Sequence, residues 1–444
     1  MLDAAAVNCD FELYEQRNPK ASQYYRCVEA HFEQLEMAWD DRYARMYGFW
    51  CPYVSQVICR YLECGDLHFG FARVRCTDCG HEFLLPYSCK RRNFCPSCHQ
   101  KRVIEFGEWL CEDVLKSVPH RHWVFSIPKR LRIYFMLDRS LLAGLSRCAW
   151  KVVSLYLKQA VPYEDAMPGA VIAVQSFGDF QNFHPHLHIL ATDGSFYNNG
   201  AFMVCLPPKT EDLEELFRYE VFKLLRSEGK ISDAVIENMM GWHHSGFSVF
   251  CGPTIWPRDE KGMENLARYI IRAFFSQERM VYIPAHDSPD GTAKVIYTSK
   301  DGKTSKTFDA LDWLAQLVVH IPNRGEQMVR YYGFYSNRAR GDRKKKGKDD
   351  EVPALMEPEV SSKELRRSWA RLIQKIYNVD PLICPNVVGF FLDKQVAFCH
   401  TLTSRKQVLI PSHIPPTHIP IPNRIGTIPS SPQLNNDDLL IYDA

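Results

Sequence analysis

The sequence lacks the features that send a chain into or across a membrane. No stretch approaches 18 consecutive apolar residues, the length typical of a membrane-spanning helix. The first twenty residues have no positively charged start followed by an apolar run, so no secretory signal peptide is expected. A net charge is also nearly absent, with 54 Lys and Arg against 52 Asp and Glu. We therefore expect a cytoplasmic protein with no membrane partner, whose function is indicated by local patterns.

Length and hydrophobic content allow more than one packed domain. The 444 residues, 46% of them hydrophobic, are enough for two or three domains. Residues 1–62 are predicted to be mainly helical. Periodicity predicts strands at 122–128, 170–178 and 247–255, and helices at 212–229, 263–274 and 308–321. Strands and helices are interspersed with short connections, so the predicted fold class is α+β.

Cysteine is abundant and unevenly distributed. Nine of the sixteen cysteines fall between Cys51 and Cys111, which in a chain without an export signal indicates metal ligation. Two Cys-x2-Cys pairs with fifteen residues between them are typical of a four-thiolate structural zinc site, formed by Cys76, Cys79, Cys95 and Cys98. The alternative is four buried free thiols. Residues without such a paired spacing could build a second metal site, namely Cys64, Cys89, His68, His81 and His99.

Basic residues surround these cysteines. Seven Lys or Arg and two acidic residues lie between positions 73 and 102. A zinc module with this charge is a plausible contact for nucleic acid, because phosphates are neutralised by Lys and Arg. The basic residues between the two cysteine pairs are Lys90, Arg91 and Arg92.

Histidine recurs at every second position in the stretch FHPHLHIL, residues 183–190. Side chains in a strand alternate between faces, so His184, His186 and His188 share one face. The intervening residues are mostly apolar and predict a core face behind them: Phe183, Pro185, Leu187, Ile189 and Ala191. One face therefore packs in the core, and the histidine face either forms a functional site or is exposed to solvent.

Tyrosines and arginines are mixed in RYYGFYSNRARGDRKKKGK, which begins at Arg330. A helix would place Tyr331 and Tyr335 on one face and Tyr332 about 100° away. Nine basic and two acidic residues lie between positions 324 and 348, a composition that suits single-stranded nucleic acid. The alternative is core aromatics beside a solvated basic linker. Paired imidazoles that hold a divalent metal, together with a tyrosine nucleophile, would make an enzyme that nicks and rejoins a single strand.

From about Tyr61 to Gly341 the chain resembles the rolling-circle transposases of bacterial insertion sequences, specifically insertion-sequence family 91. The resemblance is carried by SCKRRNFCPSCHQKR, HPHLHILATDG, ARYIIRAFFSQERM and HIPNRGEQMVRYYGFYSNRARG. These transposases belong to the HUH endonucleases, named for a His-hydrophobic-His metal motif. The resemblance implies a central antiparallel sheet flanked by helices, preceded by a helical segment and a zinc-ribbon-like module. It also implies nicking and rejoining of single-stranded DNA through a 5′-phosphotyrosine intermediate.

The resemblance assigns roles to particular residues. His186 and His188 would hold catalytic Mg²⁺ or Mn²⁺, with Leu187 between them and His184 in a supporting position. Related enzymes take a third ligand from a neighbouring element, for which Gln175 is our candidate because it lies on the preceding strand. Tyr331 and Tyr335 would be the nucleophiles, and Zn²⁺ would be structural. Predicted DNA contacts are Lys90, Arg91, Arg92, Arg330, Arg338 and Arg340.

The partners implied are single-stranded DNA at the ends of the element and target DNA, so the protein would act at the bacterial nucleoid. The predicted domains are an N-terminal helical region (1–62), a zinc-binding module (63–104) and an HUH catalytic domain (115–341). They are followed by a basic linker (342–362), a degenerate region (363–404) and a Pro-rich disordered tail (405–444). The sequence departs from the family near its end, where Cys384 has no paired cysteine, so a C-terminal zinc site is not expected.

Three other functions fit parts of the pattern. An HUH replication initiator or relaxase-like nickase uses the same chemistry but would not require the four-cysteine module. A zinc-dependent hydrolase would use His186 and His188 with a nearby acidic base and would not need tyrosines among arginines. A non-catalytic zinc-ribbon DNA-binding protein would have structural histidines.

Overall fold

The computed structural model describes residues 18–75, 82–91, 93–198, 200–349 and 353–356. All of them belong to the first of two compact units, Met1–Arg366. Predictions that fall outside the described residues concern the degenerate region and tail at 363–444, and Cys76, Cys79, His81, Arg92 and Cys384. None of the described helices combines the length and apolar character needed to cross a bilayer.

Helices and strands alternate along the described chain. The helices are α1 (Gln23–Arg42), α2 (Ala44–Tyr47), α3 (Pro52–Leu62), α4 (Pro96–Trp109), α5 (Lys129–Leu137), α6 (Leu141–Gln159), α7 (Thr210–Ser227), α8 (Asp233–Met240), α9 (Glu260–Tyr269), α10 (Ala310–Val318) and α11 (Asn337–Lys345). The strands are β1 (Phe71–Arg75), β2 (Glu82–Pro86), β3 (His120–Ser126), β4 (Gly169–Phe177), β5 (Phe183–Thr192), β6 (Gly194–Tyr197), β7 (Ala201–Val204), β8 (Ser248–Ile255), β9 (Met280–Ile283), β10 (Lys294–Thr298), β11 (Ser305–Asp309), β12 (Val329–Gly333) and β13 (Ala354–Met356).

A five-stranded antiparallel sheet organises the centre of the molecule. Its strand order is β12-β4-β5-β3-β8, so the histidine strand β5 lies in the middle. The strands predicted at 122–128, 170–178 and 247–255 are β3, β4 and β8, and all three are in this sheet. The predicted α+β class, with a central antiparallel sheet flanked by helices, is confirmed. A short connection joins β4 to β5, whereas α5 and α6 connect β3 to β4 on the other side of β5.

The two faces of this sheet differ as the alternation in β5 predicts. Leu187 and Ile189 are fully buried on one face. On the neighbouring strand β3 that face packs on α6 and α7, where the ring of Phe125 lies 4.9 Å from that of Phe217 in α7. The opposite face carries the histidines, and its apolar part packs on α4 and α9 through a cluster that includes Phe106, Leu190 and Leu266. Each residue of β5 therefore faces either the histidine side of the sheet or the apolar core. A shift of one residue in strand register would move the imidazoles into the apolar core.

A second core joins the N-terminal helices to later parts of the chain. Tyr24 of α1 is fully buried among rings from α3, the loop before α4, the segment after α9, and α10: Tyr61, Phe94, Phe275 and Trp313. The same core contains residues of the three-stranded sheet β11-β10-β9. Described residues between Tyr24 and Cys95 thus share one core with α10, and this core extends across the predicted boundaries at 62 and 104.

The tyrosine-rich segment is a strand, and the helix predicted for it is wrong. Val329–Gly333 forms β12, in which Tyr331 pairs with Val171 and Tyr332 with Ala170 of β4. The strand ends at Gly333, whose φ of +56° favours glycine and where an added Cβ would overlap the carbonyl oxygen of Pro168. The helix α11 begins only after Ser336, whose hydroxyl accepts a hydrogen bond from the amide of Ala339. Tyr331 and Tyr335 therefore do not share a helical face.

Candidate functional site

The antiparallel register of β4 and β5 brings the three predicted metal ligands together. Gln175 lies directly opposite His186, and Ala173 lies opposite His188. Directly opposed residues project from the same face with Cβ atoms about 5 Å apart. The three polar side chains are also buried, with exposed fractions of 3% for Gln175, 6% for His186 and 1% for His188. A buried polar group of this kind needs partners, so its hydrogen bonds determine which of its atoms remain free to bind a ligand.

Each of the three side chains keeps one potential ligand atom free. His186 donates its Nδ1 proton to the carbonyl oxygen of His184 at 2.8 Å, which leaves Nε2 with a lone pair. Gln175 donates from Nε2 to the carbonyl oxygen of Ile270 at 3.0 Å, while its Oε1 is buried without a partner. His188 Nε2 is also buried without a partner. Two imidazole nitrogens and an amide oxygen fit a divalent cation, which would satisfy atoms that are otherwise costly to bury.

A histidine outside the predicted set orients His188. Nε2 of His122 in β3 lies 2.9 Å from Nδ1 of His188, and the two rings are nearly parallel. A neutral His188 that keeps Nε2 free for a cation must donate its Nδ1 proton to His122. Metal-binding histidines are commonly held by such a contact on the other nitrogen. His122 was not predicted, because a lone histidine in an apolar strand gives no sequence signal for this role.

Burial keeps the imidazoles of this face neutral. Desolvation lowers the pKa of His186 to about 4 and that of His184 to about 3. Desolvation, with a smaller effect of the neighbouring His186, lowers the pKa of His122 to about 4. The pKa of His188 is lowered as well, by burial first and then by its histidine neighbours. Metal ligation requires the neutral form of histidine, so the site is prepared for it near neutral pH.

Tyr269, the last residue of α9, packs directly against these histidines. Its ring centroid is 5.2 Å from that of His188, with an interplanar angle of 88°. The guanidinium of Arg272 lies over the same ring at 4.5 Å from its centroid. The carbonyl oxygen of Tyr269 accepts a weaker hydrogen bond from Gln175 Nε2 at 3.3 Å. Tyr269 was missed as a candidate, although ARYIIRAFFSQERM was one of the segments that carried the family resemblance.

Tyr331 shares the sheet face of the histidines but lies on an outer strand. β12 and β5 are separated by β4, and two strand spacings amount to roughly 10 Å. The ring of Tyr331 meets the edge of Trp109 at 5.8 Å, and the guanidinium of Arg340 lies 5.1 Å from its centroid. Burial raises the pKa of Tyr331 to about 12.

Tyr335 lies at the other end of the sheet. It is fully buried, its hydroxyl lies 2.7 Å from His120 Nε2, and it accepts a hydrogen bond from the amide of Lys116 at 3.3 Å. His120 pairs with Thr192, four residues beyond His188 along β5, a distance of roughly 14 Å. Burial raises the pKa of Tyr335. The structure therefore does not bring Tyr335 together with the histidines.

Four cysteines form a separate, compact cluster. The sulfurs of Cys64, Cys89, Cys95 and Cys98 all lie within 4.8 Å of one another. The sulfur atoms are 3.7 Å apart for Cys64 and Cys98, 3.6 Å for Cys89 and Cys98 and 3.8 Å for Cys95 and Cys64. Tetrahedral Zn–S bonds of about 2.3 Å would place sulfurs about 3.8 Å apart. Hydrogen bonds among the thiols lower the pKa values of Cys64 and Cys98 and raise those of Cys89 and Cys95. Zinc binding would therefore release protons, because all four ligands must be thiolates.

The cluster combines residues that the sequence pattern had assigned to different sites. Cys95 and Cys98 belong to the predicted zinc site, whereas Cys64 and Cys89 were candidates for a second one. The assignment of Cys76 and Cys79 stays a prediction, since both lie outside the described residues. His99 is engaged elsewhere, because its Nδ1 accepts from the amide of Asn93 at 3.1 Å and its Nε2 lies 2.9 Å from the carbonyl oxygen of Ile271. His68 is paired with Asp66 at the surface.

The predicted DNA contacts lie in two regions of the described chain. Lys90 is exposed beside the cysteine cluster, and Arg91 donates a hydrogen bond to the hydroxyl of Tyr53 at 3.2 Å. Arg330 of β12 and Arg340 of α11 are partly buried, and Arg338 is exposed. A cavity of about 610 Å³ beside Gln175 is lined in part by Arg330.

Comparison with known proteins identifies the family of this chain. The model of the "Transposase zinc-binding domain" (Zn_Tnp_IS91) matches residues 34–127, and that of the "Putative transposase" family (Y2_Tnp) matches residues 169–343. The chain belongs to the transposases of insertion-sequence family 91. The zinc-binding match includes all four clustered cysteines, and the second match includes His186, His188 and Gln175.

Two relatives of this transposase are similar along most of their length. It is 25% identical to "Transposase for insertion sequence element IS801" of Pseudomonas savastanoi pv. phaseolicola over 352 residues, which cover 74% of this chain and 80% of the relative. It is 24% identical to "Putative transposase y4qJ" of Sinorhizobium fredii over 325 residues, which cover 67% of this chain and 78% of that relative. No solved structure matches the chain.

Proposed function

We propose that this transposase is an HUH endonuclease that nicks and rejoins single-stranded DNA through a 5′-phosphotyrosine intermediate, during rolling-circle-type transposition of its insertion sequence. One observation carries the proposal. The buried atoms His188 Nε2 and Gln175 Oε1 lack partners, next to His186 and on the same sheet face that Tyr269 covers. A tyrosine beside a set of divalent-metal ligands is the combination that this chemistry requires.

His186, His188 and Gln175 would hold Mg²⁺ or Mn²⁺ through the three atoms that their other hydrogen bonds leave free. When bound, the cation supplies positive charge that polarises the scissile phosphate. The protein's own part is to fix the ligands: β5 sets the spacing of the imidazoles, the carbonyl oxygen of His184 orients His186, and His122 orients His188. The amide of Gln175 is fixed by the backbone at the end of α9.

Tyr269 is the nucleophile that this geometry supports best. Its hydroxyl oxygen would attack the phosphorus and give up its proton, and the bond from phosphorus to the 3′ oxygen would break. The 3′ oxygen would take up a proton and leave as a hydroxyl. The 5′ phosphate then remains on the tyrosine, and attack by a 3′ hydroxyl reverses the step without an external energy source. Arg272, stacked on the ring of Tyr269, places a positive charge where the phosphate would approach.

The tyrosines assigned through the resemblance fit less well. Tyr335 has a buried hydroxyl with two hydrogen-bond partners, and Tyr331 packs against Trp109 on an outer strand. The four clustered cysteines would bind structural Zn²⁺ in the transposase zinc-binding domain and hold the N-terminal core together. Single-stranded DNA at the ends of the element and target DNA are the proposed partners, contacted by basic residues of both regions.

A nicking assay tests the proposal against its alternatives. Labelled single-stranded oligonucleotides covering each terminus of the element are incubated with the full chain and Mn²⁺ or Mg²⁺. We expect a nick and a protein-linked 5′ product, both lost in the His186→Ala/His188→Ala variant. A non-catalytic zinc-ribbon protein would bind without nicking, and a hydrolase would cut without becoming linked. A replication initiator would nick but would not join one terminus to another, so strand transfer between termini separates it from a transposase.

A further inference from the structure

A cavity of about 610 Å³ lies beside Gln175, on the sheet face that carries the histidines. Its walls come from α4, β4, the segment after α9, and β12, and Trp109 and Tyr331 are among its lining residues. A volume of this size is within the range of small-molecule sites, roughly 300–1,000 Å³. The cavity therefore has room for a nucleotide unit next to the proposed catalytic centre.

Two aromatic rings line one wall of this cavity, and the guanidinium of Arg340 packs against both of them. Trp109 and Tyr331 are in edge contact at 5.8 Å, and the guanidinium of Arg340 lies 5.3 Å from the Trp109 ring centroid and 5.1 Å from that of Tyr331. Asn337 Oδ1 holds Arg340 by a 2.7 Å hydrogen bond. Trp109 nevertheless leaves 37% of its surface exposed. The wall thus offers aromatic surface that the protein itself does not cover.

The charges around the cavity favour an anion. Arg102, Arg272 and Arg330 line it, and the Nε atoms of Arg272 and Arg330 are buried without a partner. The two acidic lining residues are engaged by basic side chains: Glu326 pairs with Arg139 at 2.9 Å, and Glu105 with Lys101 at 3.6 Å. Stacking surface and unneutralised guanidinium groups together are the features that bind single-stranded nucleic acid.

We propose that this cavity receives an unpaired base of the single-stranded substrate, next to the phosphate that is cut, with the base against Trp109 and Tyr331 and its phosphate near Arg272 and Arg330. In a duplex, neighbouring bases cover both faces of each base, so only an unstacked base can enter. The inference rests on the proposed function, because that function places the DNA strand next to Gln175. It adds that the enzyme selects single strands by capturing a base as well as by charge.

Binding measured with abasic oligonucleotides tests this proposal. A fluorescent oligonucleotide covering a terminus of the element is prepared as a series with one base removed at each position, and its affinity for the full chain is measured by anisotropy without added Mg²⁺ or Mn²⁺. Loss of one stacked base should weaken binding of the wild type by roughly 5- to 150-fold at one position near the nick. In the Trp109→Ala variant, the intact oligonucleotide should bind as weakly as that abasic one, and removal of the base should have no further effect.

Matched variants keep the test decisive. Trp242→Ala removes a tryptophan with the same exposed fraction of 37%, from the loop after α8 and outside this cavity, and should leave the abasic profile unchanged. Arg340→Gln replaces Trp109→Ala if the latter melts at a lower temperature than the wild type, and should also reduce the penalty at the same position. The proposal is overturned if the abasic penalty persists in both Trp109→Ala and Arg340→Gln, or if these variants lose duplex binding as strongly as single-strand binding. A wild type that shows the position-specific penalty but does not nick would contradict the proposed function alone.

Discussion

The ring of Tyr269 stands perpendicular to that of His188, with centroids 5.2 Å apart. The contact arises because α9 ends at Tyr269 above the middle of the central sheet, where β5 presents its histidines. The last residues of the helix have carbonyl groups without helical partners, and two of them accept hydrogen bonds from Gln175. One helix end therefore positions both a tyrosine and a candidate metal ligand.

Replacement of Tyr269 by phenylalanine should eliminate the covalent adduct. The ring would still pack on His188 and Arg272, so only the attacking oxygen is lost. We expect no 5′-linked product on denaturing gels and a single-strand affinity close to that of the wild type, because the ring contacts and the charge of Arg272 are kept. Mass spectrometry of the peptide linked to a labelled 5′ DNA end in the wild type should identify Tyr269.

Tyr331→Phe, Tyr332→Phe and Tyr335→Phe are the controls for that result, and each should still form the adduct. Tyr332 lies on the opposite sheet face, where its hydroxyl lies 3.0 Å from Ser146 Oγ. An adduct on Tyr331 or Tyr335 would restore the assignment based on the family resemblance. It would require those side chains to move toward the histidines when DNA binds.

Gln175 should contribute to metal affinity through its oxygen. Gln175→Ala removes the ligand atom and should weaken Mn²⁺ binding at least about tenfold, whereas Gln175→Glu keeps an oxygen in place and should bind Mn²⁺. Calorimetric titration of zinc-loaded protein with Mn²⁺ measures both. Equal Mn²⁺ affinity in the wild type and Gln175→Ala would show that Gln175 only ties β4 to the end of α9.

His122 should act on the metal through His188. His122→Ala leaves Nδ1 of His188 without its partner, so the ring loses its fixed orientation, and a loss of roughly 10- to 100-fold in Mn²⁺ affinity is expected. Saturating Mn²⁺ should restore most of the nicking rate, which would not occur if His122 contacted the DNA. His243→Ala, in a loop outside the sheet, provides a histidine control and should not change Mn²⁺ affinity.

The zinc site should depend on Cys64 and Cys89 as much as on Cys95 and Cys98. Cys64→Ser should release zinc, measured by elemental analysis of protein prepared without chelators, and should destabilise the N-terminal core because the metal contributes to folding. Cys59 is exposed in α3, five residues before Cys64, and Cys59→Ser should keep its zinc. Retention of a full zinc content by Cys64→Ser would exclude this cluster as the site.

Local sequence pattern was enough to predict the histidine strand. Alternation of imidazoles with apolar residues has a period of two, and the apolar set can be buried in only one way. Gln175 could be placed because β4 precedes β5 and hairpin-connected strands pair in antiparallel register. These predictions depended on neighbours in the chain, and the register of the two strands agrees with them.

The incorrect and missed features depend on contacts that are distant in the chain. Tyr331 and Tyr332 are in a strand because Val329–Gly333 pairs with β4, a partner that the local pattern does not reveal. Cys64 reaches the zinc cluster only because α3 packs beside the loop that carries Cys89. Tyr269 was overlooked because a single tyrosine at a helix end is less conspicuous than three tyrosines among arginines.

Tyr335 should stabilise the folded chain and take no part in the reaction. Loss of a buried hydroxyl that bonds His120 and the amide of Lys116 should cost Tyr335→Phe about 1–3 kcal/mol of unfolding free energy.

Burial lowers the pKa of His120 from 6.5 to about 4, so between these values the unfolded chain binds a proton that the folded chain does not. Stability from this residue is therefore present above pH 6.5 and falls as the pH drops toward 4, by up to about 1.4 kcal/mol per pH unit. Melting temperatures at pH 7 and pH 5 should differ less in His120→Gln than in the wild type. An unchanged pH dependence would mean that folding does not lower the pKa of His120.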